Sequence, residues 1–194
     1  MNKPQTTQTL RVVGMLLDHC LSSYQHSLRV GDALYQFARY LEMPKLEDIY
    51  LLGLTHDIGK LKIPNHLLNK KTPLTSQEFE SIKLHTEYGQ KILESFDGLP
   101  SEYPTIIRFH HENYDGTGYY GLKDKAIPQV SRMLRIIDSY DTMLNGRVYK
   151  AGKTQQEVIE EIYSLSGKYY DPYLTSEFKK FLNKRYHVCL NTGA

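Results

Sequence analysis

Apolar residues recur at helical spacing along most of this chain. Between Ser27 and Met43 they lie about three or four residues apart, which predicts an amphipathic helix that Pro44 ends. Thr75 and Glu78 are spaced as a capping box at the start of another helix. The predicted helices cover residues 27–43, 46–56, 75–96, 100–111, 130–144, 154–166 and 174–186. No segment shows convincing strand alternation, so the pattern predicts an all-α fold, with 130–144 as its central buried helix.

The remaining segments suggest connections and domain limits. A loop begins at Ile63, and the glycine-rich segment 114–128 is predicted to be irregular. The residues before Leu21 form either an extra helix packed on the domain or a linker. We therefore expect an N-terminal helix or linker at 1–20, one domain at 21–186 and a C-terminal tail at 187–194.

Composition narrows the class of protein. A length of 194 residues fits one domain. The net charge of +2 argues against a nucleic-acid polymer or an anionic membrane as the main partner. The two cysteines, Cys20 and Cys189, cannot make a disulfide framework, and the segment from Leu10 to Leu17 is too short to span a membrane. These features predict a cytoplasmic protein.

Histidines and aspartates supply the candidate chemistry. His56 is followed by Asp57, and Asp138 lies in a strongly apolar helix, where an unpaired charge is costly. Imidazole and carboxylate groups bind divalent iron, manganese, zinc or nickel. Adjacent residues on a helix point about 100° apart, but such doublets can converge on two metal ions between neighbouring helices. The candidate ligands are His26, His56, Asp57, His85, His110, His111 and Asp138.

Each candidate also has a structural interpretation. A single histidine such as His26 is often a core or helix-terminal residue, and Asp138 can cap a helix or pair with Arg135. The other histidines, His19, His66 and His187, have no comparable context and are interpreted as surface or packing residues.

Three segments carry a resemblance to a known family. Residues 26–30 (HSLRV), 55–64 (THDIGKLKIP) and 110–119 (HHENYDGTGY) resemble the motifs of the HD-GYP family, a subset of the HD-domain metal-dependent phosphohydrolases. The similarity continues through residues 127–128, 137–141, 147–150 and 171–172. It covers nearly everything from about Leu21 to Leu182, and so long an ordered series of motifs is highly specific.

The resemblance implies an all-helical HD-domain bundle that hydrolyses cyclic di-GMP to pGpG or GMP. It implies two divalent metal ions, usually iron or manganese. By motif, the family's ligands for the first ion correspond to His26, His56, Asp57 and Asp138 of this chain. Its ligands for the second ion correspond to Asp57, His85, His110 and His111. Asp57 would bridge the two ions.

The same comparison assigns the remaining roles. Lys60 corresponds to the lysine that contacts the substrate phosphate and the water between the ions, so Asp57 and Lys60 are the expected catalytic residues. Arg147, Lys150 and Tyr119 correspond to substrate-binding positions. Two cations roughly 3.5–4 Å apart activate a shared water as hydroxide and neutralise charge on the phosphate in the transition state. The sequence does not identify the group that protonates the leaving 3′-oxygen.

The loop after His111 departs from the family pattern. Tyr120 stands where the family has proline, and one residue before Gly121 is missing. Because proline fixes φ near −65°, its loss changes how the loop lies over the pocket. In the family this loop affects substrate fit and contacts with GGDEF-type partner domains. Tyr120 is either a base-stacking residue or, as we expect, an ordinary surface tyrosine.

A second departure concerns the number of metal ions. Family members with three ions carry a glutamate one turn before the first histidine, whereas this chain has Ser22. We therefore expect a binuclear site. Three functions stay open: a cyclic di-GMP phosphodiesterase, a phosphohydrolase of another cyclic dinucleotide or nucleotide, and a weakly active nucleotide-binding or adaptor domain. The tyrosines and the N-terminal helix are compatible with a dimer.

Overall fold

The computed structural model describes residues 3–97, 99–146 and 152–191, with side chains described between residues 7 and 184 of these ranges. Within these ranges it consists of helices and connecting segments, without a β-strand, so the predicted all-α fold is confirmed. The α-helices are α1 (Lys3–His19), α2 (Leu21–Tyr40), α3 (Leu46–Thr55), α4 (Asn65–Leu68), α5 (Ser76–Lys83), α6 (His85–Glu94), α7 (Glu102–Arg108), α8 (Gln129–Asn145), α9 (Gln155–Ser164) and α10 (Pro172–Asn191). Two short 3-10 helices cover Ile58–Lys62 and Asp124–Ala126.

The predicted helix 75–96 is in fact two helices. The capping box of Thr75 and Glu78 begins α5 as expected, but α5 ends before Leu84 and α6 begins at His85. At this break the His85 imidazole donates to the Ile82 carbonyl and the Thr86 hydroxyl donates to the Lys83 carbonyl, at 2.7 and 3.0 Å. Such side-chain hydrogen bonds to backbone carbonyls bend helices.

Several further helix boundaries differ from the prediction. The helix predicted over 27–43 covers Leu21–Tyr40, so His26 lies inside α2. The helix predicted over 100–111 ends at Arg108, so His110 and His111 lie in the turn that follows α7. The last helix runs to Asn191 rather than ending near residue 186. The early end of α7 bears directly on the candidate site, as the next subsection describes.

The hydrophobic core lies between α2, α8 and α10. Phe37 of α2 contacts Phe178 of α10 edge to face, with ring centroids 5.1 Å apart. Ile136 and Ile137 of α8 are fully buried, as expected for the helix predicted to be central. Because α2 and α8 pack in this core, any polar groups on their edges are held in fixed positions.

The N-terminal helix packs against the rest of the bundle. Val13 of α1 is buried with Leu51 and Leu54 of α3. At the end of α1, Nε2 of His19 donates to the carbonyl of Ile63 over 3.0 Å, which makes His19 a packing residue. His66 is exposed on α4, and the side chain of His187 lies outside the described residues. In the described part of the chain, every helix is too short or too polar to cross a membrane.

Candidate metal centre

His56 and Asp57 lie where the chain leaves α3. His56 is the residue after the last turn of the helix, and Asp57 precedes the 3-10 helix Ile58–Lys62. Because the chain turns here, both side chains reach one buried point, with Nε2 of His56 3.4 Å from Oδ2 of Asp57. The two residues are almost completely buried. In an uninterrupted helix, adjacent side chains would point about 100° apart. Because α3 ends here, His56 and Asp57 can point to the same place.

Three further histidines of the cluster also stand at helix ends. His85 is the first residue of α6, and its Nε2 lies 3.3 Å from Oδ1 of Asp57. His110 and His111 follow α7, with ring centroids 4.1 Å apart. Gly59 permits this approach, because a Cβ there would lie 1.8 Å from the His85 carbonyl oxygen.

Three imidazoles are oriented in the same way. His56, His85 and His110 each donate from Nδ1 to the backbone carbonyl three residues earlier. These carbonyls belong to Gly53, Ile82 and Ile107, at 2.7, 2.7 and 2.6 Å respectively. The bond fixes the tautomer in which Nε2 carries a lone pair, the arrangement seen around histidines that bind metals.

Several polar atoms in this cluster lack hydrogen-bond partners among the described residues. They are Nε2 of His56, Nε2 of His85, Nε2 of His110 and Oδ1 of Asp57. An unsatisfied buried polar group costs about 1–3 kcal/mol, so four together call for a ligand. Together with His26 and His111, these residues form two groups of potential metal ligands that share Asp57: Asp57 with His85, His110 and His111, and Asp57 with His26 and His56. Within each group the atoms lie within 4.8 Å of one another, which fits the binding of divalent cations.

The protonation states suit such ligands. Burial lowers the pKa of His85 to about 4 and that of His110 to about 3, so both imidazoles are neutral near pH 7. Burial opposes ionisation of Asp57, but the charge of Lys60 and the neighbouring imidazole of His56 hold the pKa of this carboxyl well below its ordinary value. His85 and His110 therefore offer neutral imidazoles beside the Asp57 carboxylate.

The solvent-facing side of the cluster is formed by α2, α8 and the turn after α7. Nε2 of His26 lies 3.0 Å from Oδ1 of Asp138 and 3.8 Å from Oδ2 of Asp57. Nδ1 of His111 lies 3.8 Å from Oδ2 of Asp138. The side chains of His26, Asp138 and His111 are 13%, 13% and 20% exposed, so a substrate can approach from this side.

Asp138 does not pair with Arg135 in this structure. The guanidinium of Arg135 lies elsewhere and donates to Asn113 and Ser139, whereas Asp138 faces His26. The alternative interpretation of Asp138 as an Arg135 partner is therefore wrong.

Sequence reasoning did not assign a role to Asp141. Its carboxylate accepts a 2.6 Å hydrogen bond from Nδ1 of His26, two from Arg29 and one from Asn145. Burial opposes protonation of His26, but hydrogen bonds to Asp138 and Asp141 raise its pKa to about 9. The spacing of Asp138 and Asp141, three residues apart on one helix, was the available signal for this role.

Of the remaining predicted site residues, the structure describes Lys60 and Tyr119 but not Arg147 and Lys150. The ammonium group of Lys60 pairs with Oδ2 of Asp57. The ring of Tyr119 lies 4.9 Å from that of His111, centroid to centroid. Arg147 and Lys150 lie outside the described residues.

Glu112 is a second residue that sequence reasoning missed. This buried carboxylate accepts the backbone N–H groups of Tyr120 and Leu122, both at 2.7 Å, and so holds the loop against the His110–His111 turn. The close approach requires Gly118, since a Cβ there would lie 2.5 Å from the nitrogen of Asn113.

Tyr120 is anchored in the domain. Its hydroxyl lies 2.8 Å from Oγ1 of Thr86, and its ring contacts Phe109 and the guanidinium of Arg108. The expectation of an ordinary surface tyrosine is therefore wrong: at the position of the family's proline, this chain holds its loop by a packed aromatic ring.

Residues 12–174 match the HD domain family. The chain belongs to the HD domain family. A relative from Thermotoga maritima, named a cyclic di-GMP phosphodiesterase, is 35% identical over 178 residues, which cover 89% of this chain and 48% of the relative. A Vibrio cholerae protein named 3′3′-cGAMP-specific phosphodiesterase 2 is 36% identical over 121 residues, covering 61% of this chain and 23% of that protein.

The fold of this HD domain also matches solved structures. One of them, Bd1817, a protein of the HD-GYP type from Bdellovibrio bacteriovorus, superposes with a TM-score of 0.65 at 19% identity, covering 83% of this chain and 52% of that one. The solved structure supports the fold, and the family match together with the relatives named cyclic di-GMP phosphodiesterases confirms the resemblance to the HD-GYP family. This HD domain spans half or less of the length of these two curated relatives.

Proposed function

We propose that this HD domain is a metal-dependent phosphodiesterase that hydrolyses cyclic di-GMP to pGpG or GMP. The observation that carries the proposal is the set of four buried donor atoms without partners around Asp57. No simple packing role accounts for three buried imidazoles that each bind a backbone carbonyl through Nδ1 and leave Nε2 without a partner in the cluster around Asp57. The curated relative from Thermotoga maritima, named for this activity, supports the choice of substrate.

The proposed ligand sets are the two groups that share Asp57, with Asp138 added to the group of His26 because its Oδ1 lies 3.0 Å from Nε2 of His26. His26, His56, Asp57 and Asp138 would hold one cation, and Asp57, His85, His110 and His111 the other. Ser22 is exposed and its hydroxyl contacts the Cys20 thiol at 3.3 Å, so it offers no charged oxygen for a third ion. Mixed imidazole and carboxylate sets suit iron or manganese.

When bound, two such cations would activate a water molecule and neutralise charge on the scissile phosphate. The chain's own residues orient the reaction. Lys60, on the 3-10 helix, would move from Asp57 toward a phosphate oxygen and add positive charge there. Tyr119 would contact the nucleotide beside His111. The substrate-binding roles of Arg147 and Lys150 stay predictions.

A second substrate has specific support. The 36% identical relative named for 3′3′-cGAMP favours a test of that dinucleotide as well. The test is an assay of anaerobically purified protein, reconstituted with Fe²⁺ or Mn²⁺, against a panel of cyclic dinucleotides, with products separated by chromatography. We expect linear product from cyclic di-GMP, and none from the Asp57→Asn variant.

Other results of this assay have defined meanings. Faster turnover of 3′3′-cGAMP would change the substrate but keep the chemistry, whereas tight binding without turnover would indicate an adaptor domain. Contacts with GGDEF-type domains, dimer formation and the cytoplasmic location stay predictions of the sequence.

A further inference from the structure

A row of aromatic rings leads outward from the metal cluster to α5. His111 lies 4.9 Å from Tyr119, and Tyr119 lies 6.2 Å from Phe79, measured between ring centroids. Phe79 is 45% exposed, although it stands on a helix whose start is fixed by a capping box. The row therefore begins at the solvent-facing side of the cluster and ends on an exposed aromatic face.

A positive charge accompanies these rings. Nζ of Lys83 lies 5.2 Å from the centroid of Tyr119, and Lys83 stands one helical turn after Phe79 on α5. Its ion-pair partner is Glu80, whose side chain is 66% exposed and which an anionic ligand can displace. An ion pair between Lys70 and Glu78 further fixes the first turn of α5.

We propose that Phe79, Tyr119 and Lys83 form a subsite for the part of a cyclic dinucleotide that lies away from the metal ions. This inference rests on the proposed function. Phe79 and Tyr119 would hold one nucleobase by ring contacts, and Lys83 would bind the second phosphate, the one that is not cleaved. The ligand class follows from the chemistry, because stacking surfaces beside a cation recognise a base with its phosphate.

The subsite also gives the break at Leu84 a function. Because α5 and α6 are separate helices, His85 faces the buried cluster while Phe79 and Lys83 line its approach. In one continuous helix, the 3.6-residue turn would set the angles between these side chains. The break at Leu84 allows other angles.

The test compares two substrates in Phe79→Ala, Phe79→Tyr and Lys83→Gln. Cyclic di-GMP reaches the subsite, whereas methyl p-nitrophenyl phosphate is a phosphodiester without nucleobases. We expect Phe79→Ala and Lys83→Gln to raise KM for cyclic di-GMP on the order of tenfold. We expect Phe79→Tyr, which keeps a ring, to stay near wild type, and the small diester to be hydrolysed equally by all variants.

Tyr173→Ala is the matched control, since Tyr173 is also an exposed aromatic residue (64%) but lies on α10. An unchanged KM for cyclic di-GMP in Phe79→Ala and Lys83→Gln would overturn the proposal, as would an equal loss on both substrates. Absence of turnover in the wild-type protein would instead count against the proposed function. In that case calorimetric binding of cyclic di-GMP to wild type and Phe79→Ala decides on the subsite, with equal affinities overturning it.

Discussion

Nδ1 of His26 donates a 2.6 Å hydrogen bond to Oδ2 of Asp141, a contact between α2 and α8. By contrast, His56, His85 and His110 donate to backbone carbonyls. A carboxylate acceptor makes a stronger hydrogen bond and increases the basicity of the opposite ring nitrogen. Arg29 and Asn145 in turn fix the carboxylate of Asp141. Asp141 is thus a positioning residue for His26.

Replacing Asp141 with asparagine keeps the size of the side chain and removes its charge. We expect Asp141→Asn to weaken the affinity for Mn²⁺ by about 10–100-fold, the usual effect of losing an outer hydrogen-bond partner of a metal ligand. Competition with a chelator measures this affinity, and excess Mn²⁺ should restore most of the turnover. Asp32→Asn, an exposed aspartate on α2, is the control. Equal affinities of wild type and Asp141→Asn would show that Asp141 serves packing alone.

Glu112 holds the loop of residues 113–122 by two backbone N–H groups. In Glu112→Gln an amide NH₂ faces one of these donors, so we expect a loss of about 1–3 kcal/mol in the free energy of unfolding. Urea denaturation measures this loss. We also expect a raised KM for cyclic di-GMP, because Tyr119 belongs to the same loop, with unchanged metal content. The exposed Glu160→Gln serves as control. If Glu112→Gln matches wild type in both stability and KM, the loop does not depend on this carboxylate.

Lys60 and Lys62 lie on the same 3-10 helix, but only Lys60 pairs with Asp57 among the contacts described. We expect Lys60→Met to lower kcat by roughly 10²–10³, the range seen when one donor to developing negative charge is removed. The protein must be assayed with metal bound, because removal of Lys60 takes away a positive charge that pairs with Asp57. Lys62→Met, an exposed neighbour, should keep normal kcat. A normal kcat in metal-loaded Lys60→Met would exclude a catalytic role.

Much of the fold followed from the periodicity of apolar residues. The capping box that starts α5 and the apolar face of α8 are local signals, and both predictions agree with the structure. The break at Leu84 was not predictable from that period, because it depends on hydrogen bonds made by His85 and Thr86 and on contact with Gly59.

The site was predictable in composition but less so in its supporting contacts. The sequence motifs predicted the imidazoles and carboxylates that the structure brings together. This was possible because the types of side chain that can bind a metal are visible in the sequence. The roles of Asp141, Glu112 and Tyr120 depend on partners distant in the chain or on the path of a loop, such as the contact of Tyr120 with Thr86. Single-sequence patterns carry little information on such contacts.

The central claim is that Asp57 joins two cations in one catalytic centre. It is tested most directly by adding Mn²⁺ stepwise to metal-free protein while recording both bound metal and hydrolysis of cyclic di-GMP. We predict two ions per chain, turnover that rises with the second ion, and no turnover by Asp57→Asn. Full activity with one ion or none, or normal hydrolysis by Asp57→Asn, would contradict the account.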